Sequence, residues 1–282
     1  MSWQELETIC GYLDPQQDMV SLLGGEPTLH SQFKEIVEYF SNKGFPIKIF
    51  TNGVTSGLRS ILDLALDDIR IILNLNEPAS YNSKEWQQIE KNCQAFTSNI
   101  ALSFNVYKPD FDWTYLKEAI LGWGMDKFIR IGIAQPIKGM KNAYLQDKDT
   151  KMAAQRLVAM AEDLAEDGIS IGFDCGFRSC DFTREELGIL AQCGTGFLFD
   201  CKPVLDIGPD LMTWRCFPFS VGPGVKLTDF GSFKELEQFY TDKWLEIQKT
   251  GNTEKCPTCD NLEIASCGGG CLSRTVLKSG LA

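Results

Sequence analysis

The chain has 282 residues, 44% of them hydrophobic, and a formal net charge of -11 at pH 7. This length allows a large hydrophobic core, in one barrel-sized domain or in two smaller domains. The negative charge argues against nucleic acid or an anionic membrane as the main partner, because both favour a basic surface. No apolar run is long enough to span a bilayer and the N-terminus lacks a signal-peptide layout, so we expect a cytoplasmic protein.

Strand and helix patterns alternate through the first 173 residues. The predicted strands lie, in chain order, at 19–23, 47–50, 70–75, 100–106, 128–133 and 169–173. The first predicted helix follows a capping box at Ser2 and Glu5, and the second begins near Gln32 and stops at Gly44. The other three lie at 84–96, at 113–123 and around 157–164. Strands that alternate with helices predict βαβ units and a parallel sheet, whose carboxyl ends meet at one edge.

The first predicted strand ends in Gly24-Gly25-Glu26-Pro27. Two glycines let another molecule approach the backbone with no Cβ in the way, and Glu26 adds a negative charge beside them. The pattern predicts a pocket for a small cationic group, such as an ammonium, at the edge where parallel sheets bind their ligands. The alternative is an ordinary strand-to-helix turn with a surface glutamate.

Small and amide-bearing residues also follow the other predicted strands. They are Thr51, Asn52 and Gly53, then Asn74 and Asn76, then Ser103 and Asn105, and finally Ala134 and Gln135. Each of these alone is more often a simple turn. Together, at one edge, they suit a ligand with ammonium, carboxylate, ribose and adenine parts.

The 11 cysteines are concentrated in the second part of the chain, since only Cys10 and Cys93 precede residue 170. This change in composition predicts a boundary near 168–173 and two domains, 1–172 and 173–282. The second part is predicted to begin with a short helix that has a capping box at Thr183 and Glu186. There follow a hairpin of strands 199–206 and 211–216, a loop at 217–226 and a helix after Ser232.

Cys256-Pro-Thr-Cys259 and Cys267-Gly-Gly-Gly-Cys271 place four thiols within sixteen residues. In a reducing compartment disulfides are disfavoured, and this spacing is typical of a metal site. Zinc is one alternative and inert buried thiols are another. Cys193, Cys201 and Cys216 bring the total to seven, more than one zinc ion needs, which favours iron–sulfur. Cys175 and Cys180 lack a clean partner, and we expect them to be structural or close to the substrate.

These motifs together resemble the radical S-adenosylmethionine (radical SAM) superfamily, in particular its members with a C-terminal SPASM or twitch extension. The matching parts are Gly24 to Pro27, Thr51 to Gly53 and the cysteine run from Cys193 to Cys271. The resemblance implies an α/β fold, a partial (β/α) barrel followed by a small Cys-rich α+β domain. It also implies S-adenosylmethionine and 4Fe-4S clusters as cofactors, an external electron donor, and a peptide or protein substrate that loses hydrogen to a 5′-deoxyadenosyl radical.

The resemblance also assigns residues. The implied cofactor-binding residues are Gly24, Gly25, Glu26, Pro27, Thr51, Asn52, Asn74, Asn76, Ser103, Asn105, Arg130, Ile133 and Ala134. The implied metal ligands are Cys193, Cys201, Cys216 and Cys271 for one auxiliary cluster, and Cys256, Cys259 and Cys267 for a second that lacks a ligand. Arg130 either pairs with the SAM carboxylate or points outward.

The sequence departs from this family in its missing CxxxCxxC motif, which holds the SAM-cleaving cluster. The first residues match the helix that normally follows that loop, so we expect a truncated chain without the first strand, inactive in SAM cleavage as written. The alternative is a decayed barrel that binds peptide or relays electrons without catalysis. His30 is the only histidine, and we expect it to cap a helix or lie on the surface, which disfavours Ser-His-Asp catalysis.

Overall fold

The computed structural model describes residues 1–137, 139–221 and 224–279. Its main feature is a six-stranded parallel sheet whose strands are in sequence order across the sheet. The strands are β1 (Val20–Leu22), β2 (Ile47–Thr51), β3 (Ile69–Asn74), β4 (Ile100–Val106), β5 (Phe128–Ile133) and β6 (Ser170–Phe173). Each predicted strand of the first part is confirmed to within one residue at either end. All five strand pairs are parallel, as the alternation with helices predicts.

Six helices accompany this sheet. They are α1 (Trp3–Tyr12), α2 (Phe33–Asn42), α3 (Ser83–Phe96), α4 (Thr114–Trp123), α5 (Thr150–Ala165) and α6 (Arg184–Gln192). The capping boxes at Ser2 and Thr183 are both present, so the predicted starts of α1 and α6 are confirmed. His30 accepts a hydrogen bond from the Gln32 amide at Nδ1 (3.1 Å), a local contact just before α2. Among the described helices, none is long and apolar enough to cross a membrane.

The two faces of the sheet differ in their surroundings. On β2, Ile47 and Ile49 are buried in the main core with the helices, whereas Lys48 and Phe50 on the opposite face are only partly buried. Alternation of this kind is unusual in parallel sheets, which normally have helices on both faces. The face that carries Phe50 and, on β5, Arg130 is therefore not filled by helices as the other is.

The second part contains a three-stranded antiparallel sheet. Its strands are β7 (Asp206–Ile207), β8 (Met212–Trp214) and β9 (Val225–Lys226), and its helices are α7 (Phe233–Gln248), α8 (Asp260–Glu263) and α9 (Leu272–Ser279). The predicted hairpin is confirmed, but the predicted strand 199–206 is too long. The Cys201 carbonyl accepts hydrogen bonds from the side chains of Arg215 and Gln248 instead of from a neighbouring strand. The predicted loop 217–226 ends in β9, and its residues 222–223 lie outside the described residues.

Contacts join the two parts of the chain. Ile9 of α1 packs with Leu227, Leu236 and Tyr240 of the second part. The hydroxyl of Tyr12 donates to the Phe230 carbonyl (3.0 Å). In the other direction, the main core extends beyond residue 173, because Phe177, Phe182 and Leu190 belong to it. The boundary near 168–173 stays a prediction.

Candidate functional site

The Glu26 carboxylate joins the loops that follow β1 and β2. Its Oε1 accepts hydrogen bonds from the Thr28 amide (3.2 Å) and from the hydroxyls of Thr28 (2.6 Å) and Thr51 (2.8 Å). Its Oε2 accepts one from the Asn52 amide (2.8 Å). Hydrogen bonds to an ionised acceptor are stronger than neutral ones, so Glu26 fixes the relative position of the two loops. Direct contact between Glu26 and an ammonium stays a prediction.

The backbone at Gly24 and Gly25 is exposed beside this anchor. Gly24 has φ +142°, a conformation that side chains with a Cβ rarely adopt, which explains the glycine two residues after β1. A Cβ added at either glycine would meet no atom within 4 Å, so the space above both residues is open. Pro27 then begins a short 3₁₀ turn to Leu29, with Glu26 as its N-cap.

Polar side chains of three neighbouring strands meet at the carboxyl edge of the sheet. The Asn105 amide donates to Asn74 Oδ1 (3.2 Å), and Arg130 Nη1 donates to the Ser103 hydroxyl (3.2 Å). Arg130 also forms an ion pair with Asp174, directly after β6. The structure therefore brings four of the residues assigned by the resemblance together, along with Asp174, which we did not predict. The signal for Asp174 is its position, since it follows a strand end as the others do.

Asn76 lies apart from this group, and Arg130 has a further contact. The Asn76 amide donates to the Tyr81 hydroxyl (2.9 Å), and the Asn76 side chain is exposed. The Arg130 guanidinium carbon lies 5.3 Å from the centre of the Phe50 ring, across the sheet face. The Arg130 guanidinium contacts Ser103, Asp174 and Phe50, and its pairing with the SAM carboxylate stays a prediction.

The chain after β5 is held by Arg274 of α9, a residue that we did not predict. Arg274 donates to the Ala134 carbonyl (3.4 Å), to the Leu145 carbonyl (2.6 Å) and to the Gln135 side chain (2.6 Å). It also pairs with Asp147 (2.8 Å). Burial alone would raise the pKa of Asp147, but the hydrogen bonds from cationic groups outweigh it and the pKa is lowered. Arg274 therefore fixes the loop beside Ile133 and Ala134 to the helix that follows Cys271.

Four thiols lie close together beside β6: Cys175, Cys201, Cys216 and Cys271. Burial raises the pKa of Cys175 to about 12, and the charges of Asp174, Cys271 and Cys201 raise it further. Burial likewise raises the pKa of Cys216, again with contributions from the other three thiols. A Cβ at Gly176 would lie 3.8 Å from the Cys271 Cβ. Four thiols are the number of protein ligands that one four-iron cluster takes.

Cys193 lies elsewhere. It is the C-cap residue of α6 and packs against the main core. Burial raises the pKa of its thiol, and the charge that adds to this effect is that of Glu162 on α5. The structure thus groups Cys175, and not Cys193, with Cys201, Cys216 and Cys271.

A second group of thiols lines part of an open cavity of about 630 Å³. Cys256, Cys259 and Cys267 all contribute to its lining. The Thr253 hydroxyl lies 3.2 Å from the Cys256 sulfur. A Cβ at Gly251, which has φ +59°, would lie 2.6 Å from that sulfur, so only glycine fits beside it.

In neither group of thiols do the side chains converge on the position of a single metal ion. In the described ranges 1–137, 139–221 and 224–279, no three His, Cys, Asp or Glu side chains are placed to hold a single metal ion. One zinc ion requires its sulfurs at about 2.3 Å from the metal, whereas a four-iron cluster takes one thiolate at each iron and so holds its thiolates further apart. The cavity between Cys256, Cys259 and Cys267 has room for the larger group.

Comparison with solved structures gives the class of the fold: the chain has the fold of the radical SAM enzymes. One similar structure is SuiB from Streptococcus suis bound to S-adenosylmethionine, with a TM-score of 0.63, 14% identity, and coverage of 92% of this chain and 63% of SuiB. Another is native anSMEcpe with bound AdoMet and the Kp18Cys peptide, with a TM-score of 0.66, 17% identity, and coverage of 96% of this chain and 81% of anSMEcpe.

The present chain thus spans less than two thirds of SuiB. No family model matches the chain. No curated protein matches it either. The expected α/β fold with a parallel sheet is confirmed, and the resemblance to the radical SAM superfamily is confirmed at the level of the fold.

Proposed function

We propose that this chain is the SAM-binding and substrate-binding part of a radical SAM enzyme that modifies a peptide or protein, with iron–sulfur clusters in residues 173–282. The observation that carries the proposal is the Glu26 anchor. It joins the Gly24–Pro27 and Thr51–Gly53 loops at the carboxyl edge of a six-stranded parallel sheet. Solved structures with this fold contain S-adenosylmethionine.

In this proposal the open backbone of Gly24 and Gly25 accepts the SAM ammonium. The polar group around Asn74 and Ser103 faces the ribose and methionine parts, and Ile133 with Ala134 borders the adenine. Arg130 serves the SAM carboxylate while Asp174 holds its guanidinium in place. A bidentate guanidinium has enough donors for both partners.

A partial barrel is part of the proposal, and the Arg130–Phe50 contact supports it. β2 and β5 are three strand spacings apart, which is about 14 Å in a flat sheet. Side chains stand roughly perpendicular to a sheet, so a separation of 5.3 Å between their ends requires strong curvature toward the Phe50 face. A curved sheet encloses a ligand on that face.

The chemistry of the clusters divides into two cases. The 282 residues contain no CxxxCxxC motif, so the residues present do not fit the cluster that cleaves SAM, and we derive no step through it. The thiols of residues 173–282 do fit auxiliary clusters, for which we propose Cys175, Cys201, Cys216 and Cys271 as one ligand set. Such clusters transfer electrons at potentials that the surrounding protein sets, here with an external donor.

Calorimetric titration with S-adenosylmethionine tests the proposal. The Gly25→Ala variant places a methyl group in the open space without backbone strain, because Gly25 has no positive φ. We expect it to weaken SAM binding at least tenfold at unchanged stability toward urea. Gly188→Ala on α6 is the matched control, since its Cβ also meets no atom within 4 Å. Absence of SAM binding in the wild type, or equal affinity in both variants, contradicts the proposal.

The missing CxxxCxxC motif favours a second candidate, a non-catalytic protein that binds peptide or relays electrons on the same fold. It predicts peptide binding with no affinity for S-adenosylmethionine. Titration with the Kp18Cys peptide, whose complex with anSMEcpe is known, in the presence and absence of SAM separates the two. Peptide affinity that rises when SAM is bound supports the enzyme, and peptide affinity in a protein that binds no SAM supports the second candidate.

A further inference from the structure

The core face of α3 contains a fully buried carboxamide. Ile89, Cys93 and Phe96 are the apolar residues of this face, and Asn92 lies among them with 0% of its surface exposed. A carboxamide that is taken out of water costs free energy unless its donors and its acceptor find new partners. The Asn92 side chain therefore needs hydrogen-bond partners inside the protein.

These partners lie mainly in the loop that follows β2. The Nδ2 atom of Asn92 donates to the Gly53 carbonyl (2.8 Å) and to the Thr55 carbonyl (2.8 Å). Its Oδ1 atom accepts a hydrogen bond from the Gln88 side chain (3.0 Å), one helical turn earlier on α3. Both N–H donors and the oxygen are thus used. The loop of residues 51–55 is therefore attached to α3 from the side of the core.

The first of these contacts orients the Asn52 side chain. The peptide between Gly53 and Val54 is trans, so its C=O and N–H groups point in opposite directions. The C=O group faces Asn92, and the N–H group donates to Asn52 Oδ1 (3.1 Å). Gly53 is packed closely, since an added Cβ would lie 2.6 Å from Leu73 Cδ1. Asn92 therefore sets the plane of the peptide that holds the Asn52 side chain.

The second contact leads to the Glu26 carboxylate. The Thr55 hydroxyl lies 2.6 Å from the Thr28 hydroxyl. The Thr28 hydroxyl has one proton and donates it to Glu26 Oε1 (2.6 Å), so the Thr55 hydroxyl is the donor to Thr28. Asn92 is thus connected to Glu26 through two residues, Thr55 and Thr28. Linked hydrogen bonds of this kind strengthen one another in the protein interior, so a change at Asn92 should affect the whole network.

We propose that Asn92 is a positioning residue for the SAM site. It fixes the loop of residues 51–55 and, through that loop, the Asn52 side chain and the Glu26 carboxylate. The inference rests on the proposed function for the identity of the ligand. Both donors of Asn92 are taken by Gly53 and Thr55, so Asn92 acts through the loop and not by contact with the ligand. A binding site keeps its geometry only if the residues that bind are themselves held by such outer contacts.

The first test compares SAM binding by Asn92→Leu and Cys93→Ala in calorimetric titrations. Leucine has nearly the size of asparagine but no donor. Cys93→Ala removes a buried group at the next position of α3 and is the matched control for lost core packing. We expect Asn92→Leu to bind SAM about tenfold more weakly than Cys93→Ala at a temperature where both are folded, because the loop is no longer held.

Asn92→Asp is a second variant in case the leucine variant does not fold. It keeps the shape of asparagine and offers at most one donor, so at least one of the two loop contacts is lost and SAM binding should weaken. Equal SAM affinity in the folded Asn92 variants and in Cys93→Ala overturns the proposal.

The second test is amide hydrogen exchange, measured by NMR in the chain without SAM. The Asn52 amide donates to Glu26 Oε2 (2.8 Å), whereas the Ile71 amide lies in the buried strand β3 and reports on opening of the core. We expect Asn92→Leu to accelerate exchange at Asn52 by about tenfold more than at Ile71. Equal acceleration at both amides would mean a loss of global stability alone, and overturns the proposal.

Failure of the proposed function is distinguishable from failure of this inference. A wild-type chain that binds no SAM contradicts the proposed function, while selective exchange at Asn52 in Asn92→Leu still supports the role of Asn92 in the loop. SAM binding with unselective exchange supports the function and overturns the positioning role.

Discussion

Replacing Glu26 by glutamine tests the anchor between the first two loops. The carboxylate accepts four hydrogen bonds, three at Oε1 and one at Oε2 from the Asn52 amide. Glutamine has one acceptor oxygen, so in its best orientation its NH₂ group faces the Asn52 amide, which cannot turn away. One charge-assisted bond, about 1.5–3 kcal/mol, is lost, and the other three lose the charge that strengthens them. We expect the free energy of unfolding to fall by about 3 kcal/mol.

Urea unfolding followed by circular dichroism measures this change, from the midpoint at unchanged slope. Glu7→Gln on the exposed face of α1 is the matched control and should change the midpoint little. Thr51→Val removes the hydroxyl that donates to Glu26 and accepts from the buried Gly53 amide, and should lose about 2 kcal/mol. Equal midpoints for the Glu26 and Glu7 variants would refute the anchor, because they would mean that the four contacts contribute nothing to stability.

Three further predictions concern a titration, a buried cation and the sheet edge. Burial raises the pKa of Asp206 to about 6 from 3.8, so its contribution to stability is present below pH 4 and is lost as the pH rises through 6. Asp206→Asn should therefore raise the melting temperature at pH 8 and leave it unchanged near pH 3.5. The gain in the free energy of unfolding at pH 8 should be no more than about 3 kcal/mol. Arg215 is 2% exposed and donates to the Cys201 carbonyl (2.5 Å) and to Gln248 (3.1 Å), so Arg215→Met should destabilise the protein toward urea by about 3 kcal/mol. Arg130→Lys keeps the charge but loses the planar guanidinium with its paired N–H donors, and calorimetry should show SAM affinity several-fold lower at unchanged stability.

The sequence was sufficient for the first part of the fold because its signals are local. The strand at 100–106 is a continuous run of strand residues between a helix end and a loop. The capping box at Ser2 depends only on the next three residues. The residues at the sheet edge were predictable too, since the carboxyl ends of parallel strands lie at one edge whatever the details of packing. Asn74 and Ser103 could therefore be assigned together, and they are direct register partners.

The cysteine groups could not be assigned from spacing alone. Cys193 is nearer to Cys201 in sequence than Cys175 is, but α6 carries Cys193 toward Glu162 and the main core. The turn Ser179–Asp181 is also placed by a distant contact, because Ser179 accepts from Asn261, which is 82 residues later in the chain. Arg274 was missed for the same reason, because on a terminal amphipathic helix an arginine has no local signal for burial.

The Arg274 side chain couples the segment after β5 to α9. Its guanidinium binds four groups of the 134–147 segment, and Lys278 forms a further ion pair with Asp147 (2.6 Å) one turn along α9. The contacts of Arg274 and Lys278 mean that the residues they bind cannot move outward unless α9 moves with them. In the proposed function this leaves the open backbone of Gly24 and Gly25 as the approach for SAM, and a displacement of Cys271 would be transmitted through Arg274, three residues later, to the segment beside Ile133 and Ala134.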